Sequence, residues 1–260
     1  MTRKFSDSAC GQLALVLVST RNPLNLGAAA RAMSNFGFTD LRVVNAYDVA
    51  FREAKSAVGA GEILNSAREY KDVAEAVADC SLVVGTTAAR NRKLEHTVRA
   101  LQEGAGFIRK ALRSGRTAIL FGSEKRGLSN HDLSYCQWLL RIPTREERPS
   151  MNLGQAVAVC LYELACGGPQ NLVTPDRGVT SPRKRSQRGS AVTPPPGATA
   201  AELDRLASIL EEALESAAYP KSSSTEEKVV RLVRRLNLSE QDTQLLSGML
   251  RQMIWKMRTK

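Results

Sequence analysis

The stretch LALVLVSTRNPLNLGAAARAMSNFGFTDLRVV, residues 13–44, decides how the chain is read. It opens on six consecutive apolar residues, Leu13–Val18, runs through helical spacing over Leu24–Phe36, and closes on Leu41–Val44. A continuous apolar run suits a strand whose sheet is covered on both faces. Strand, helix and strand in that order make the unit of a parallel sheet. The same textures alternate onward, with strands expected at Leu82–Val84, Thr117–Phe121 and Trp138–Ile142 and helices at Val73–Ala78, Phe107–Leu112 and Gln155–Ala165. Residues 13–167 are therefore predicted to form an α/β domain, a mostly parallel sheet with helices on both faces, behind a short tail of residues 1–12. Ligands in such folds sit in loops beyond the carboxyl ends of the strands.

The texture changes after residue 167. Residues 168–200 are rich in Pro, Gly, Ser and Arg, including PRKRSQR at 182–188, and read as a flexible basic linker. Residues 201–260 read as a small α-helical domain. Leu203, Leu206, Leu210 and Leu214 mark its first helix, and Ser224 with Glu227 resembles a capping box before Val229, Leu232, Val233 and Leu236. Ser239 opens the last helix, whose Leu246, Met249, Leu250, Met253 and Met257 are expected to pack as core. So small a unit buries little by itself, and it is expected to dock on another surface.

Charge and cysteine content narrow the function classes. The formal net charge is +11. Residues 1–167 carry 22 basic and 16 acidic side chains, the linker 5 and 1, and the last sixty residues 10 and 9. The excess lies on the first domain and the linker, which points to a polyanionic partner such as nucleic acid. No apolar run approaches the roughly 20 residues that span a bilayer, and Met1–Gly11 lacks the apolar stretch of a secretory signal. Five cysteines without a C-x-x-C and only two histidines argue against a disulfide framework or a zinc site, so no metal and a cytoplasmic location are expected. Gly59-Ala60-Gly61 is a lone G-x-G, read as a turn, and no phosphate loop is present.

Three segments carry candidate chemistry. Asn22 to Met33 follows the first strand; its Gly27 and three alanines permit close approach, and Arg31 lies one helical turn beyond Gly27. Arg31 is equally readable as a surface arginine on a packed helix. Phe121 to Asn130 ends the fourth strand run, with Gly122 and Gly127 bracketing Glu124, Lys125 and Arg126 where backbone amides are free to hold a ligand. Arg148 to Ala156 leads from Ile142 into a helix, and its Ser150 or Asn152 is also a natural helix N-cap.

In this order the three segments resemble the signature motifs of the SPOUT superfamily of RNA methyltransferases, in its TrmH/TrmJ branch. Asn25, Gly27 and Arg31 match N-x-G-x-x-x-R, followed by Phe36-Gly37. Gly122, Glu124, Gly127 and Leu128 match G-x-E-x-x-G-L. Ser150-Met151-Asn152 with Ala156-Val157 and Leu161-Tyr162-Glu163 match the third motif, and Val83–Ala88 is similar to the branch's cofactor-loop strand. The resemblance implies a C-terminal trefoil knot in the α/β domain, S-adenosylmethionine as cofactor, and a homodimer. It implies methyl transfer to a ribose 2′-hydroxyl of tRNA, at an anticodon-loop cytidine or uridine, with ribosomal RNA as the alternative substrate. Carried over by position, the cofactor would meet Thr86, Thr87, Ala88, Gly122, Ile142, Ser150, Met151, Asn152 and Leu153. Arg31, Asn25, Glu124, Ser150 and Asn152 would serve catalysis. Arg31, Arg90, Arg92, Lys93, Lys125 and Arg126 would serve RNA binding.

Met151 stands where the motif has Leu, a volume-conserving change, and Gly154 where Ser is frequent. The basic run Arg90, Arg92, Lys93 sits slightly later than in relatives. Arginine stays protonated at neutral pH, so Arg31 is expected to stabilise developing negative charge or pin a phosphate, with Glu124 orienting Arg31 or accepting the proton. A non-catalytic RNA-binding protein on the same fold remains a competing reading.

Overall fold

The computed structural model describes residues 10–46, 61–88, 95–145, 147, 150–166, 197–220 and 225–259. Outside them fall residues 168–196 of the linker expected at 168–200, whose last residues 197–200 are described and lead into a helix from Ala200, together with Ser224, Gly59-Ala60, and the cations Arg90, Arg92 and Lys93. Among the described residues the order is β1 (Leu13–Val18), α1 (Pro23–Phe36), β2 (Asp40–Val44), α2 (Gly61–Ser66), β3 (Arg68–Tyr70), α3 (Val73–Val77) and β4 (Leu82–Thr86). There follow β5 (Val98–Ala100), α4 (Leu101–Ala111), β6 (Thr117–Phe121), α5 (Asn130–Ser134), β7 (Trp138–Arg141) and α6 (Leu153–Cys166). The last three helices are α7 (Ala200–Ser216), α8 (Thr225–Arg235) and α9 (Glu240–Arg258). No described helix is long and apolar enough to cross a membrane.

The seven strands form one sheet in the order β3-β2-β1-β6-β4-β7-β5, and every pairing is parallel. All six residues of β1 are buried, and they divide by parity between two cores. Leu13, Leu15 and Leu17 join Leu26, Met33, Ile108, Val157 and Leu161 beneath α1, α4 and α6. Ala14, Val16 and Val18 join Val73, Val77, Leu120 and Leu133 beneath α3 and α5. This period-2 division is why an unbroken apolar run becomes a strand with helices on each side.

The strands β1 and β6 fall where the sequence places them. The edges were missed: β3 and β5 are three residues each, carry Arg68, Glu69 and Arg99, and close the two ends of the sheet. Short, charged strands are how sheets blunt their edges, and they lack an apolar signature. Helix α4 starts at Leu101 rather than Phe107, because Gly104 and Gly106 interrupt the apolar spacing while Gly104 seats the helix against Trp138 and Leu140.

Of the three C-terminal helices, α7 packs on α3, α8 on α5, and α9 on α7. Thr199 caps α7 with Glu202, and the amides of Ala200 and Ala201, in the helix's first turn, donate to the carbonyls of Cys80 (2.8 Å) and Ala78 (3.0 Å). These amides are the orphan donors of a helix start, here satisfied by the chain just ahead of β4. Ala200 thereby joins the second core. Leu203, Leu206, Ala207, Val229 and Val233 make a core among the three helices. Ser239 caps α9 with Asp242 as expected. The methionines depart from expectation: Met249, Met253 and Met257 are exposed, while Leu246, Leu250 and Ile254 turn inward. The inward stripe lies one step around the helix from the one read in the sequence, since Thr243 and Ile254 rather than the methionines centre it.

One polar cluster ties the amino ends of the strands. Buried Arg42 donates to Asp40 (2.7 Å), Asp79 (2.5 and 2.9 Å) and the Ala76 carbonyl (2.7 Å), and Asp40 also holds Arg68 (2.7 Å) and Arg116 (3.0 Å). Burial alone would raise the Asp79 carboxyl, but the Arg42 hydrogen bond and charge outweigh it and hold it at about 2. A carboxylate depressed in the folded state adds stability above its unfolded pKa near 4, and loses it as pH falls toward the folded value. Urea denaturation should therefore show stability declining between about pH 4 and pH 2. The Arg42→Leu variant should lose roughly 3 kcal/mol or more at neutral pH, because Asp40 and Asp79 lose the cation between them.

Candidate active site

Strands β1, β6, β4 and β7 lie side by side, so the segments that leave their carboxyl ends converge. They are the start of α1, Gly122–Leu128, Thr86–Ala88 and Ile142–Leu153. Helix α1 begins at once because Asn22 accepts from the Leu24 amide (2.9 Å) and Pro23 takes the first helical position. Its end is set by Gly37, whose φ of 78° closes the helix and turns the chain toward β2.

The loop after β6 is a tight turn, with the Gly127 amide donating to the Ser123 carbonyl at 2.8 Å. A Cβ on Gly122 would lie 2.0 Å from the Gly127 carbonyl carbon and 2.1 Å from the Leu128 nitrogen, so only glycine lets this turn fold back on itself. Beside it opens a cavity of about 330 Å³. Of the residues nominated for the cofactor, Thr86, Thr87, Ala88, Gly122, Ile142, Ser150, Met151 and Leu153 border it. Glu124, Lys125 and Arg126 border it too. Phe121, Ser123 and Ala156, which belong to the candidate segments but carry no assigned role there, also line it, as does Thr144, to which no motif points.

Asn152 is absent from the lining. Its side-chain oxygen accepts from the Gln155 amide (3.3 Å), as an N-cap does, while its amide nitrogen donates to Asn25 Oδ1 (2.8 Å). Asn25, itself buried, donates through Nδ2 to Glu124 Oε1 (2.8 Å). The N-cap role and the site role of Asn152 thus coexist, one through each end of its amide. The directed chain Asn152, Asn25, Glu124 fastens motif three to motif one and motif one to motif two. Arg31 is exposed on α1, outside the cavity lining, and Glu124 pairs with Asn25 rather than with Arg31.

The chemistry open to this arrangement is limited. Burial pushes the thiols of Cys80, Cys136 and Cys160 up to about 12, so none is a thiolate nucleophile at neutral pH. Among the described residues no three His, Cys, Asp or Glu side chains group as a metal site. What remains is a loop-built cavity bordered by hydroxyl-bearing and apolar side chains and the carboxylate of Glu124.

The sequence model of the SpoU rRNA methylase family matches residues 12–162, which contain every segment of this site. The chain belongs to the SpoU rRNA methylase family. One family relative, the tRNA (cytidine-2′-O-)-methyltransferase TrmJ of Methanocaldococcus jannaschii, is 39% identical over 155 residues, 58% of this chain and 66% of its own. Another, the tRNA (cytidine/uridine-2′-O-)-methyltransferase TrmJ of Cronobacter sakazakii, is 33% identical over 241 residues, 91% of this chain and 93% of its own. The alignments to several relatives, that from Methanocaldococcus jannaschii among them, span only about three fifths to two thirds of those relatives' length. Among solved family structures, that of TrmJ from Z. mobilis superposes with a TM-score of 0.74 at 29% identity, over 92% of this chain and 98% of that one.

Gly154, where the motif often has Ser, has a physical reason: its Cβ would lie 2.6 Å from the Ala28 Cβ, where α6 crosses α1. The family serine has no room in this pair of helices. Gly154→Ser should therefore lower stability by about 1–3 kcal/mol, read as a drop in thermal midpoint, with no gain of function from the hydroxyl.

Proposed function

We propose that the chain transfers a methyl group from S-adenosylmethionine to a ribose 2′-hydroxyl of tRNA. The observation that carries the reading is the convergence of the loops after the adjacent strands β6, β4 and β7 on one cavity, with the start of α1 fastened to two of them by the Asn152–Asn25–Glu124 chain. The cavity volume lies within the range of small-molecule sites. The residues present fit the cofactor: Ile142, Met151 and Leu153 border the cavity with apolar surface, Ser150 with a hydroxyl, and Thr86 with a hydroxyl held in place by its donation to the Leu120 carbonyl (2.8 Å). When bound, S-adenosylmethionine supplies a methyl already activated on a sulfonium, so the protein's task is alignment and handling of one proton.

Each residue then has a defined part. Arg31 holds the developing alkoxide charge or the neighbouring phosphate. Glu124 is kept in place by Asn25, and Asn152 keeps Asn25 in place. Ser150, Lys125 and Arg126 border the cavity; in this reading Ser150 orients substrate and cofactor, and the two cations bind RNA backbone. The same reading carries a trefoil knot in the segment after β7, a linker, and a separate helical domain beginning near Ala200. It carries a cytoplasmic homodimer as well, for which exposed Leu24, Val159 and Tyr162 on α1 and α6 supply apolar surface. Ribosomal RNA stays the second substrate class, since the matching family is named for rRNA while TrmJ relatives are named for tRNA.

Labelled S-adenosylmethionine offered with tRNA and with ribosomal RNA separately should yield a labelled 2′-O-methyl nucleoside from tRNA. Label in ribosomal RNA alone would reverse the substrate assignment. Arg31→Ala should bind cofactor normally and lose turnover by about 100-fold or more, the scale of removing one charge-stabilising donor. Full turnover in that variant would remove Arg31 from the mechanism.

A further inference from the structure

Helix α8 touches the α/β part at a place that the methyl-transfer reading does not use. Its Arg231 pairs with Glu95, and its Arg234 is fully buried, donating to Asp204 of α7 at 2.6 Å with its guanidinium 5.7 Å from the Tyr135 ring. The helix is thus fixed between α7 and the end of α5. Between Arg231 and α5 lies His96, buried, with Nε2 unpartnered.

Glu95, His96 and Thr97 lead directly into β5. The Thr97 carbonyl accepts from the Leu139 amide at 2.9 Å, and the next carbonyl along β7, that of Leu140, accepts from the Thr87 amide at 3.0 Å. Thr87 and Ile142, which follow β4 and β7, line the cavity. Two neighbouring residues of β7 therefore hold the clamped segment on one side and a cavity wall on the other.

We propose that α8 is a positioning element for the cofactor cavity, acting through Arg231, Glu95 and His96 on the segment 95–97 and so on β7 and Thr87. This rests on the cofactor reading above and adds to it a role for the C-terminal helices in setting the cavity wall. None of these three residues touches the cavity, so each acts through β7.

The clamp is built to weaken in acid. Burial first, then the cations Arg231 and Arg235 of α8, lower the His96 pKa, against the Leu133 carbonyl of α5 and Glu95, which raise it. His96 is therefore neutral when clamped. Released, it regains an ordinary pKa near 6.5. The clamp is at full strength above about pH 6.5 and loosens as pH falls below it toward the depressed value.

The test uses the full chain, with S-adenosylhomocysteine as the probe and calorimetry as the readout, alongside hydrogen exchange at the Leu139 and Thr87 amides. Arg231→Glu should weaken binding about two- to five-fold, the range a partly exposed ion pair can transmit, and should speed exchange at Leu139. Glu95→Arg should do the same from a half-exposed position that is safe for folding. The double reversal should restore both. In His96→Gln the extra loss of affinity between about pH 7.5 and pH 5.5 should disappear. Single variants that bind like the natural chain with unchanged exchange would overturn the proposal, as would a double reversal that recovers nothing. A lowered thermal midpoint with unchanged affinity would leave the contact a plain docking contact and overturn it too. If the natural chain fails to bind the probe, the cofactor reading fails, and the exchange rates alone decide the clamp.

Discussion

Side-by-side parallel pairing of β1, β6, β4 and β7 is the constraint from which the rest follows. In a parallel sheet all carboxyl ends lie on one edge, so segments far apart in sequence start from neighbouring points. The register pairs Leu17 with Phe121, Gly85 with Leu120, and Thr86 with Leu140, which levels the four loop origins with one another. Such pairing holds only while both faces stay covered, and the parity of β1 between two cores shows how tightly that is specified. A shift of one residue would exchange the two cores and carry every loop with it.

The two edges of this sheet are built with opposite intent. At the amino ends, Arg42, Asp40, Asp79, Arg68 and Arg116 compensate one another's charge and are held by several bonds each. At the carboxyl ends, polar groups stand at a cavity, and the chain from Asn152 to Glu124, buried only at its middle member Asn25, ends on a carboxylate exposed to solvent. Charges locked together give rigidity; charges left open give chemistry. The first arrangement frees the second from any duty to hold the sheet together.

What could be read from sequence was what repeats or recurs. Apolar runs gave β1 and β6 to the residue, and the family resemblance grouped Gly122, Thr86 and Ser150, which border one cavity. The edge strands β3 and β5 were invisible because three charged or mixed residues carry no period. The partnership of Asn25 with Glu124, 99 positions apart, has no local signature, and it displaced the expected pairing of Glu124 with Arg31. On α9 the apolar residues outnumber what the inward stripe can take, so spacing alone could not say that Met249 and Met253 would lie outside. The clamp at His96 joins an unremarkable loop residue to a charged helix face, and only the fold brings them together.

The hydrogen bonds from Ala200 and Ala201 to Cys80 and Ala78 have a consequence for the segment that precedes them. Because α6 ends and α7 begins at fixed places on one body, the chain between residues 166 and 197 closes a loop whose two ends are already held. The entropy of closing such a loop grows only with the logarithm of its length, about 0.6 kcal/mol for each doubling. The docking of α7 is thus set at its own contacts with Cys80 and Ala78, and the number of residues that join it to α6 bears on it only weakly.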